Sequence, residues 1–512
     1  AKRKHNDPIN TPALSQIKDE TKFDEFINVY KYAISLVDKE SRIRYYLDSK
    51  MIKYYSNYFA KKIRRSKNDF WRDERFDQMT LLMKNVRDDL LKNMSRYQQK
   101  MVKLSRNHDL SGTQKVIAKH LAKSKLKKML KNKNEVNKYL YRHKYLEEPI
   151  EENWVMFETF MGKSYADSPK YIYEYLAKNY PGKYKFIWVL NDPKEKLPYE
   201  GIIVKRFTKK YAYYLAKSKY FVFNIRQPLW FRKREGQVFL ETWHGTPLKR
   251  LAFDQEEVTA ASPTYKAQFY RQKQEWDYLI AANKFSSDIF KSCFMYTNGT
   301  MLEIGYPRND LLYAPNKDEI ALELKKKLHI PLDKKTILYA PTWRDDEYYG
   351  KGKYKFKLKL DLEMMKKELG DDYVILLRTH HYIADSLDVT GVEDFAINLS
   401  KYDDITEIYL ISDICITDYS SVFFDFANLK RPMLFYTYDI DKYRDVLRGF
   451  YIDMEKELPG PLVYSTKEVI EQIKNIDEMT QKYAQRYEEF YQRFCSIDDG
   501  QASKRACEAV FK

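Results

Sequence analysis

The pattern of apolar and polar positions changes once along the chain, near residue 150. From about Phe23 to Lys144, apolar residues recur at three- and four-residue spacing, and Gly112 is the only glycine in this stretch. That period is typical of amphipathic helices that bury one face. The pattern therefore predicts an α-helical region over residues 1–150.

After residue 150, short apolar runs such as Tyr184–Leu190 alternate with helical intervals such as Lys209–Lys217. This alternation is typical of βαβ units that build a parallel sheet. A second series of the same kind follows Gly305. We predict an α/β fold with two doubly wound, Rossmann-type domains, residues 151–305 and 306–512, facing a crevice. The final helix, Gln481–Phe494, is expected to cross back to the first domain.

Charge separates the same two regions. Residues 1–150 contain 36 Lys and Arg against 18 Asp and Glu, whereas the rest of the chain contains 55 of each sign. Within residues 111–145, 11 basic residues stand against the single acid Glu135. Such a cationic stretch has three possible interpretations: a solvated helix surface, a nucleic-acid contact, or a helix that lies on an anionic membrane. We favour the membrane surface and expect no nucleic-acid partner, because no zinc finger, RNA-recognition or helix-turn-helix pattern accompanies the charge.

The four cysteines are widely spaced and form no CxxC pair. They predict neither a disulfide framework nor a zinc site, and they favour a reducing compartment. No apolar run reaches the roughly 18–20 residues that a membrane-spanning helix needs. The first residues lack the apolar core of a signal peptide. We also expect neither a metal ion nor another cofactor.

The stretch Trp243–Lys249 carries the most informative candidate for catalysis. His244 follows the apolar run Gln237–Thr242 and precedes Gly245. A side chain at a strand end, before a glycine that allows a sharp turn, projects into the crevice where open α/β sheets bind ligands. The pKa of histidine suits proton acceptance near neutral pH. His244 is therefore a candidate base, and the alternative is a core histidine at a strand end.

Three predicted strand ends in the second domain carry polar residues suited to binding phosphate: Ala340–Arg344, Arg378–His381 and Thr417–Ser421. Ser420 and Ser421 stand at a predicted helix start, where hydroxyls and free backbone N–H groups form an anion site. The alternative is that either serine is only an N-cap. Asp418 and Asp425 are candidates for orienting a ligand hydroxyl. The alternatives are that Asp418 only terminates a strand and that Asp425 is an exposed acid on a helix face.

These motifs, in this order, resemble the CDP-glycerol glycerophosphotransferase family, the teichoic acid polymerases and primases of Gram-positive bacteria. The resemblance runs from about Val155 to the C-terminus and rests on Phe157–Ser168, Trp243–Lys249, Gly305–Arg308, Tyr339–Arg344, Arg378–His380 and Thr417–Phe426. It implies a GT-B-like fold and transfer of glycerol phosphate from CDP-glycerol to the terminal hydroxyl of a lipid-linked poly(glycerol phosphate), with release of CMP. It also implies a peripheral enzyme at the cytoplasmic face of the membrane, tethered through its N-terminal region.

The resemblance also suggests roles for individual residues. His244 corresponds to the general base, and His380 to a second functional histidine that contacts the donor pyrophosphate, with His381 as the alternative for that role. Arg378, Thr379, Ser420 and Ser421 are expected to hold phosphate oxygens. The other predicted substrate-binding residues are Gly245, Thr246, Lys249, Arg308, Thr342, Arg344, Asp418 and Asp425.

Three rival functions share part of this pattern. A CDP-ribitol-using polymerase differs only in the donor beyond the phosphate, and a GT-B glycosyltransferase would use a nucleotide sugar. A non-catalytic scaffold built on residues 1–150 would bind polyanions or membranes. The predicted partners are CDP-glycerol, the lipid-linked acceptor and an anionic membrane, and the oligomeric state is left open.

Overall fold

The computed structural model describes residues 21–66, 68–255, 264–342, 358–379, 389–440 and 449–511. The chain divides between residues 137 and 138 into two compact units. The sequence pattern places this break near residue 150. It lies earlier because the side chains of Tyr141 and Tyr145 are buried with the core of the α/β unit.

The first unit is helical, as predicted. Its core contains the stacked rings of Phe23 and Phe59, whose centroids lie 3.5 Å apart. A five-residue π-helical turn, Tyr55–Phe59, joins the second helix to the third. The helices are α1 Thr21–Ser35, α2 Arg42–Tyr54, α3 Ala60–Arg65, α4 Asp69–Lys84, α5 Asp88–Leu91, α6 Arg96–Arg106 and α7 Leu110–Lys131, and α8 (Lys133–His143) follows them.

Helix α7 carries most of the predicted cationic stretch. Ile117, near its start, is fully buried, whereas Leu126 is 56 % exposed. The lysines Lys123 and Lys127 are exposed as well. The apolar spacing therefore does not place Leu126 in the core, although Leu121 packs against it and the helix is formed.

The second unit begins with a seven-stranded sheet in which every neighbouring pair is parallel. The strands are β1 Glu151–Glu158, β2 Lys185–Val189, β3 Ile202–Val204, β4 Ser218–Phe223, β5 Val238–Glu241, β6 Tyr278–Ala281 and β7 Thr300–Glu303. Their order is β3-β2-β1-β4-β5-β6-β7. The accompanying helices are α9 Asp167–Asn179, α10 Lys209–Lys217, α11 Tyr265–Lys273 and α12 Lys284–Cys293.

A second parallel sheet of six strands follows, in the order β10-β9-β8-β11-β12-β13. Its strands are β8 Lys335–Ala340, β9 Tyr373–Leu377, β10 Ala396–Asn398, β11 Ile414–Thr417, β12 Met433–Tyr436 and β13 Leu462–Val463. The helices of this domain are α13 Lys317–Lys327, α14 Leu362–Leu369, α15 Ile405–Ile411, α16 Val422–Phe426, α17 Met454–Glu457 and α18 Thr466–Lys474.

Both sheets have the strand order of a doubly wound dinucleotide-type fold. Separate apolar clusters lie on the two faces of each sheet, which is required because parallel sheets are covered on both sides. The predicted fold class, two Rossmann-type domains of GT-B-like type preceded in the sequence by a helical region, is confirmed. In such sheets the ligand site lies where the strand order reverses, beside β1 and β4 in the first domain and β8 and β11 in the second.

Two chain segments connect these domains. The first crossing segment, residues 305–316, includes the 3-10 helix Pro307–Tyr313. The second, residues 495–501, joins α19 (Ile476–Phe494) to α20 (Ala502–Val510). Asp498 accepts hydrogen bonds from the backbone N–H of Tyr306 (3.0 Å) and from Asn309 (2.9 Å), so the two segments lie side by side.

The element that packs on the first domain after the second crossing is α20. Its buried residues Ala506 and Val510 belong to the apolar cluster of the first sheet. The sequence predicts a return through Gln481–Phe494. That stretch is the end of the longer helix α19, and its Phe494 contacts Phe285 of α12 in the first domain. Within the described ranges, no helix is both long and apolar enough to span a lipid bilayer.

Candidate active site

A cavity of about 430 Å³ lies at the carboxyl ends of β5, β8, β9 and β11, between the two α/β domains. Its volume is within the range of small-molecule sites. We refer to this cavity as the crevice. It is lined by Trp243, His244, Gly245, Thr246, Pro247, Leu248, Lys249, Leu251, Ala340, Pro341, Thr342, Arg378, Thr379, Ile405, Ser420, Ser421 and Val422.

His244 lies three residues beyond the end of β5, and its ring is open to the crevice. The ring Nδ1 lies 2.8 Å from the backbone carbonyl oxygen of Asn224, which follows β4. A carbonyl can only accept, so Nδ1 carries the proton in this contact. The lone pair of the neutral imidazole is then on Nε2, which can accept a proton.

The sharp turn after β5 occurs at Trp243, whose φ is +54°. Few bulky residues adopt this left-handed conformation. Gly245 was predicted to supply the turn, but it serves another purpose. A Cβ atom at Gly245 would lie 2.9 Å from Oγ of Ser421, so the glycine permits close approach of the two domains.

The surroundings of His244 lower the pKa of its ring. The main cause is that the surrounding protein disfavours the charged form, and Arg308 and Arg226 add repulsion. The hydrogen bond to Asn224 and the negative charge of Asp167 act in the opposite direction. The net effect keeps His244 neutral at pH 7, which is the state that a base requires.

Ser420 and Ser421, which we call the serine turn, face the crevice at the start of α16. Ser421 has the αR backbone conformation, and its side chain makes no capping hydrogen bond to the helix. The side chain of Ser421 therefore does not cap the helix, which was the alternative to anion binding. Helix α16 has only five residues, so the hydroxyls are better candidates for binding an anion than the helix end is.

Arg378 and Thr379 line the crevice directly after β9. Nη1 of Arg378 donates to the carbonyl oxygens of Leu399 and Ser400, at 2.9 Å each. Oγ1 of Thr379 lies 2.9 Å from Oγ of Ser400. These bonds fix one edge of the guanidinium and hold this loop in place beside the crevice.

Asp418 is buried and does not appear among the described residues that line the crevice. Its Oδ1 accepts the backbone N–H of Thr342 at 2.7 Å and also that of Tyr419. The sequence predicted that Asp418 orients a ligand hydroxyl. In the structure its carboxylate instead connects the loop after β8 to the loop after β11. Thr342, by contrast, does line the crevice.

Arg308 and Asp425 are also buried behind the lining. Nη1 of Arg308 donates to Asp167 (2.8 Å), and Nη2 donates to both oxygens of Asp425 (2.8 and 3.0 Å). Arg308 and Asp425 were predicted to contact substrate. In the structure the single positive charge of Arg308 binds two carboxylates, those of Asp167 and Asp425. Asp167 was not predicted as a site residue, although it lies in the Phe157–Ser168 motif.

The predicted residues Gly245, Thr246 and Lys249 all line the crevice. The chain around Lys249 also pairs with the second domain. The N–H of Arg250 donates to the carbonyl of Gly449 (3.1 Å), and the N–H of Tyr451 donates to that of Leu248 (2.9 Å). These bonds hold the loop after His244 against the facing domain.

Three predicted site residues, Arg344, His380 and His381, lie outside the described residues. Their roles, and the choice between the two adjacent histidines, stay predictions. His329, which was not predicted to be a site residue, follows the end of α13 and is not among the described residues that line the crevice.

Residues 139–512 match the model of the CDP-glycerol:poly(glycerophosphate) glycerophosphotransferase family. A teichoic acid poly(glycerol phosphate) polymerase of Staphylococcus epidermidis is 40 % identical over 99 % of this chain and 70 % of its own length. The teichoic acid poly(glycerol phosphate) polymerase of Bacillus subtilis is 46 % identical over 76 % of this chain. The match spans 53 % of the Bacillus subtilis protein, about half of its length.

The solved structure of the wall teichoic acid polymerase TagF superposes on 76 % of this chain and 95 % of its own, with a TM-score of 0.71 and 46 % identity. These similarities confirm the resemblance inferred from the motifs, and with it an enzyme of glycerol phosphate transfer in teichoic acid synthesis. The chain belongs to the CDP-glycerol:poly(glycerophosphate) glycerophosphotransferase family.

Proposed function

We propose that the chain extends a lipid-linked poly(glycerol phosphate) by transferring glycerol phosphate from CDP-glycerol, with His244 as the general base. One observation carries this assignment. The imidazole of His244, with Nδ1 bound to the Asn224 carbonyl, faces the serine turn within the crevice. A base and a set of phosphate-binding groups in a single cavity are what in-line displacement at phosphorus requires.

In the proposed reaction, Nε2 of His244 accepts the proton of the terminal acceptor hydroxyl. The hydroxyl oxygen attacks the phosphorus that carries glycerol, and the bond from that phosphorus to the bridging oxygen of CMP breaks. CMP leaves with the bridging oxygen and its electron pair. In this proposal, Arg378 and the serine turn bind the phosphate oxygens and stabilise their negative charge in the transition state.

The first experiment measures which nucleotide is released from CDP-glycerol, CDP-ribitol and UDP-sugars in the presence of a lipid-linked acceptor. We expect CMP from CDP-glycerol. Preferential use of CDP-ribitol or of a UDP-sugar would assign the chain to one of the two rival enzymes. Absence of any nucleotide release, together with membrane binding, would support the scaffold.

His244→Ala tests the base itself. We expect CMP release to fall by about 100-fold or more, the usual effect of losing a general base, while CDP-glycerol still binds. The matched control is His329→Asn, because His329 has a φ of +55° and asparagine tolerates that conformation. Near-normal turnover by the His244 variant would contradict the assignment.

We also propose that the enzyme is peripheral at the cytoplasmic face of the membrane and is held there through its basic helical region. The proposal is supported by the 11 basic residues within residues 111–145 and by the exposure of Lys123, Leu126 and Lys127 on α7. Each lysine or arginine near an anionic bilayer contributes about 1 kcal/mol.

A further inference from the structure

We infer that Arg308 is a positioning residue that fixes His244 relative to the serine turn by joining carboxylates of the two α/β domains. The inference rests on the proposed function, in which His244 is the base and the serine turn holds phosphate. Arg308 itself lies in the first crossing segment, between the domains.

On the first-domain side, a continuous run of hydrogen bonds connects Arg308 to the base. Nη1 of Arg308 donates to Oδ1 of Asp167 at 2.8 Å. The other carboxylate oxygen, Oδ2, accepts from the side-chain amide of Asn224 at 2.7 Å. The backbone carbonyl of that same Asn224 binds Nδ1 of His244 at 2.8 Å. A shift of Asp167 would therefore move the group that orients the imidazole.

On the second-domain side, the same guanidinium holds the helix that follows the serine turn. Nη2 of Arg308 binds both oxygens of Asp425, which lies in α16 one turn after Ser421. Asn309, the next residue along the crossing segment, donates to Asp425 as well (3.2 Å). The helix start that presents Ser421 is thereby tied to the crossing segment.

Burial makes this arrangement rigid. Arg308 is 3 % exposed, and Asp167 and Asp425 are each 5 % exposed. Separating any of these charges would leave a buried ion without its counter-charge, which is strongly disfavoured. The guanidinium is planar, with donors in a fixed fork, so it relates the positions of two carboxylates in a way that the single ammonium of lysine does not.

The position of the guanidinium agrees with this role. A Cβ atom at Gly245 would lie 2.9 Å from Oγ of Ser421 and 4.0 Å from Nη2 of Arg308. The guanidinium therefore lies directly behind the point where the loop carrying His244 meets the serine turn. Both of its terminal nitrogens bind carboxylates.

The test compares Arg308→Lys and Asp425→Asn with the matched control Arg431→Lys. Arg431 is half-buried and donates to the carbonyls of Leu410 (2.9 Å) and Ser412 (2.6 Å), away from the crevice. For each variant, thermal melting reports folding, calorimetry reports CDP-glycerol binding, and steady-state CMP release reports kcat and KM.

We expect Arg308→Lys to fold, to bind CDP-glycerol within about 3-fold of the unchanged protein and to lose about 100-fold in kcat, the effect of a misplacement near 1 Å. Asp425→Asn preserves the shape of the side chain and should lose kcat in the same way. The Arg431 control should keep its kcat. Normal kcat in both test variants would overturn the inference, and so would a loss confined to donor binding, which indicates a substrate contact.

A double-mutant cycle keeps the inference testable if one variant is unstable. Asp167→Asn and Arg308→Lys act through one run of bonds, so their effects on kcat should be less than additive. Additive effects would contradict the connection. The His244→Ala enzyme separates the two proposals: if it turns over normally, the proposed function fails, whereas if it is inactive while both Arg308 and Asp425 variants turn over normally, only the positioning role fails.

Discussion

At the residue scale, the partner of Nδ1 determines what His244 can do. A carboxylate at this position would stabilise the imidazolium strongly and raise its pKa. The carbonyl of Asn224 fixes the same tautomer without a full negative charge. His244 is thereby oriented and still neutral, and its Nε2 is the acceptor that the proposed reaction needs.

The first prediction concerns pH. The pKa of His244 is lowered, so the ring stays neutral until the pH falls below the ordinary histidine value of about 6.5. We therefore expect kcat/KM to be constant at and just below neutral pH and to decrease only at lower pH. Protonation below the lowered pKa removes the base, so activity is lost with falling pH. The charges facing the ring are Asp167, which raises this pKa, and Arg308 and Arg226, which lower it.

The measurement is the pH profile of kcat/KM, from steady-state CMP release at low CDP-glycerol concentration, with protein stability followed across the same pH range. The residual activity of His244→Ala serves as the control, because it should lack this acid limb. An acid limb with a midpoint above 7 would contradict the lowered pKa.

The second prediction concerns Gly245. In Gly245→Ala the new methyl group would meet Oγ of Ser421 at 2.9 Å, so one of the two loops must shift. We expect kcat to fall by about 10-fold or more while the melting temperature changes little. The control is Gly182→Ala, where a Cβ meets nothing within 4 Å but the φ of +73° is strained.

The two glycine variants should therefore behave in opposite ways. Gly182→Ala is expected to lose about 1 kcal/mol of stability, because alanine disfavours positive φ, and to keep its activity. A Gly245 variant with full activity would show that the two loops do not need their close approach.

Sequence reasoning identified His244, Arg378 and the serine turn because each follows an apolar strand. It did not predict the left-handed φ of Trp243, since a bulky residue gives no signal for that conformation. It also assigned Arg308 to substrate. The partners of Arg308 lie 141 and 117 residues away along the chain, and only the folded structure brings such charges together.

At the element scale, the strands were predictable because parallel sheets bury both faces and their strands become continuous apolar runs. The run Tyr184–Leu190, for example, contains β2. The two-residue strand β13 was missed, because a pair of residues carries no period. The region over α7 was predicted as a helix, but its apolar spacing did not indicate that Leu126 would be exposed.

The third prediction concerns α7. Lys123 and Lys127 are exposed on this helix. Replacing both with glutamine should weaken binding to anionic vesicles by about 30-fold, since each charge contributes about 1 kcal/mol. The measurement is flotation with vesicles of neutral and of anionic lipid.

The matched control replaces Lys326 and Lys327, two exposed lysines of α13, with glutamine. These changes remove the same charge from the α/β unit and should leave vesicle binding unaltered. Equal losses in both pairs would mean that net charge, and not the basic helical region, governs membrane binding.

At the scale of the whole molecule, the first α/β domain is completed by the end of the chain. Val510 of α20 is buried in the apolar cluster of the first sheet, although it follows the entire second domain in sequence. A return to the first domain was predicted for Gln481–Phe494, whose last residue contacts α12, but α20 was not predicted. Which helix packs on the first sheet depends on contacts between segments that are hundreds of residues apart in the sequence.

The fourth prediction tests this completion. Val510→Asp buries a carboxylate among apolar side chains and should destabilise the α/β unit by about 3 kcal/mol or more. Lys504→Asp, at an exposed position of the same helix, is the control and should change stability little. Thermal melting with and without CDP-glycerol measures both, and an unchanged melting temperature for Val510→Asp would exclude a structural role for α20.

The paired crossing segments also limit how the two domains can move. Asp498 bonds Tyr306 and Asn309 in the opposite segment, and Asp310 accepts the N–H groups of Ala502 and Ser503. These paired segments, together with the buried Arg308 that joins Asp167 and Asp425, hold the two domains in one relative position. His244 and the serine turn lie on opposite walls of the crevice. The width of the gap between these walls is therefore set by buried bonds that lie outside the crevice lining.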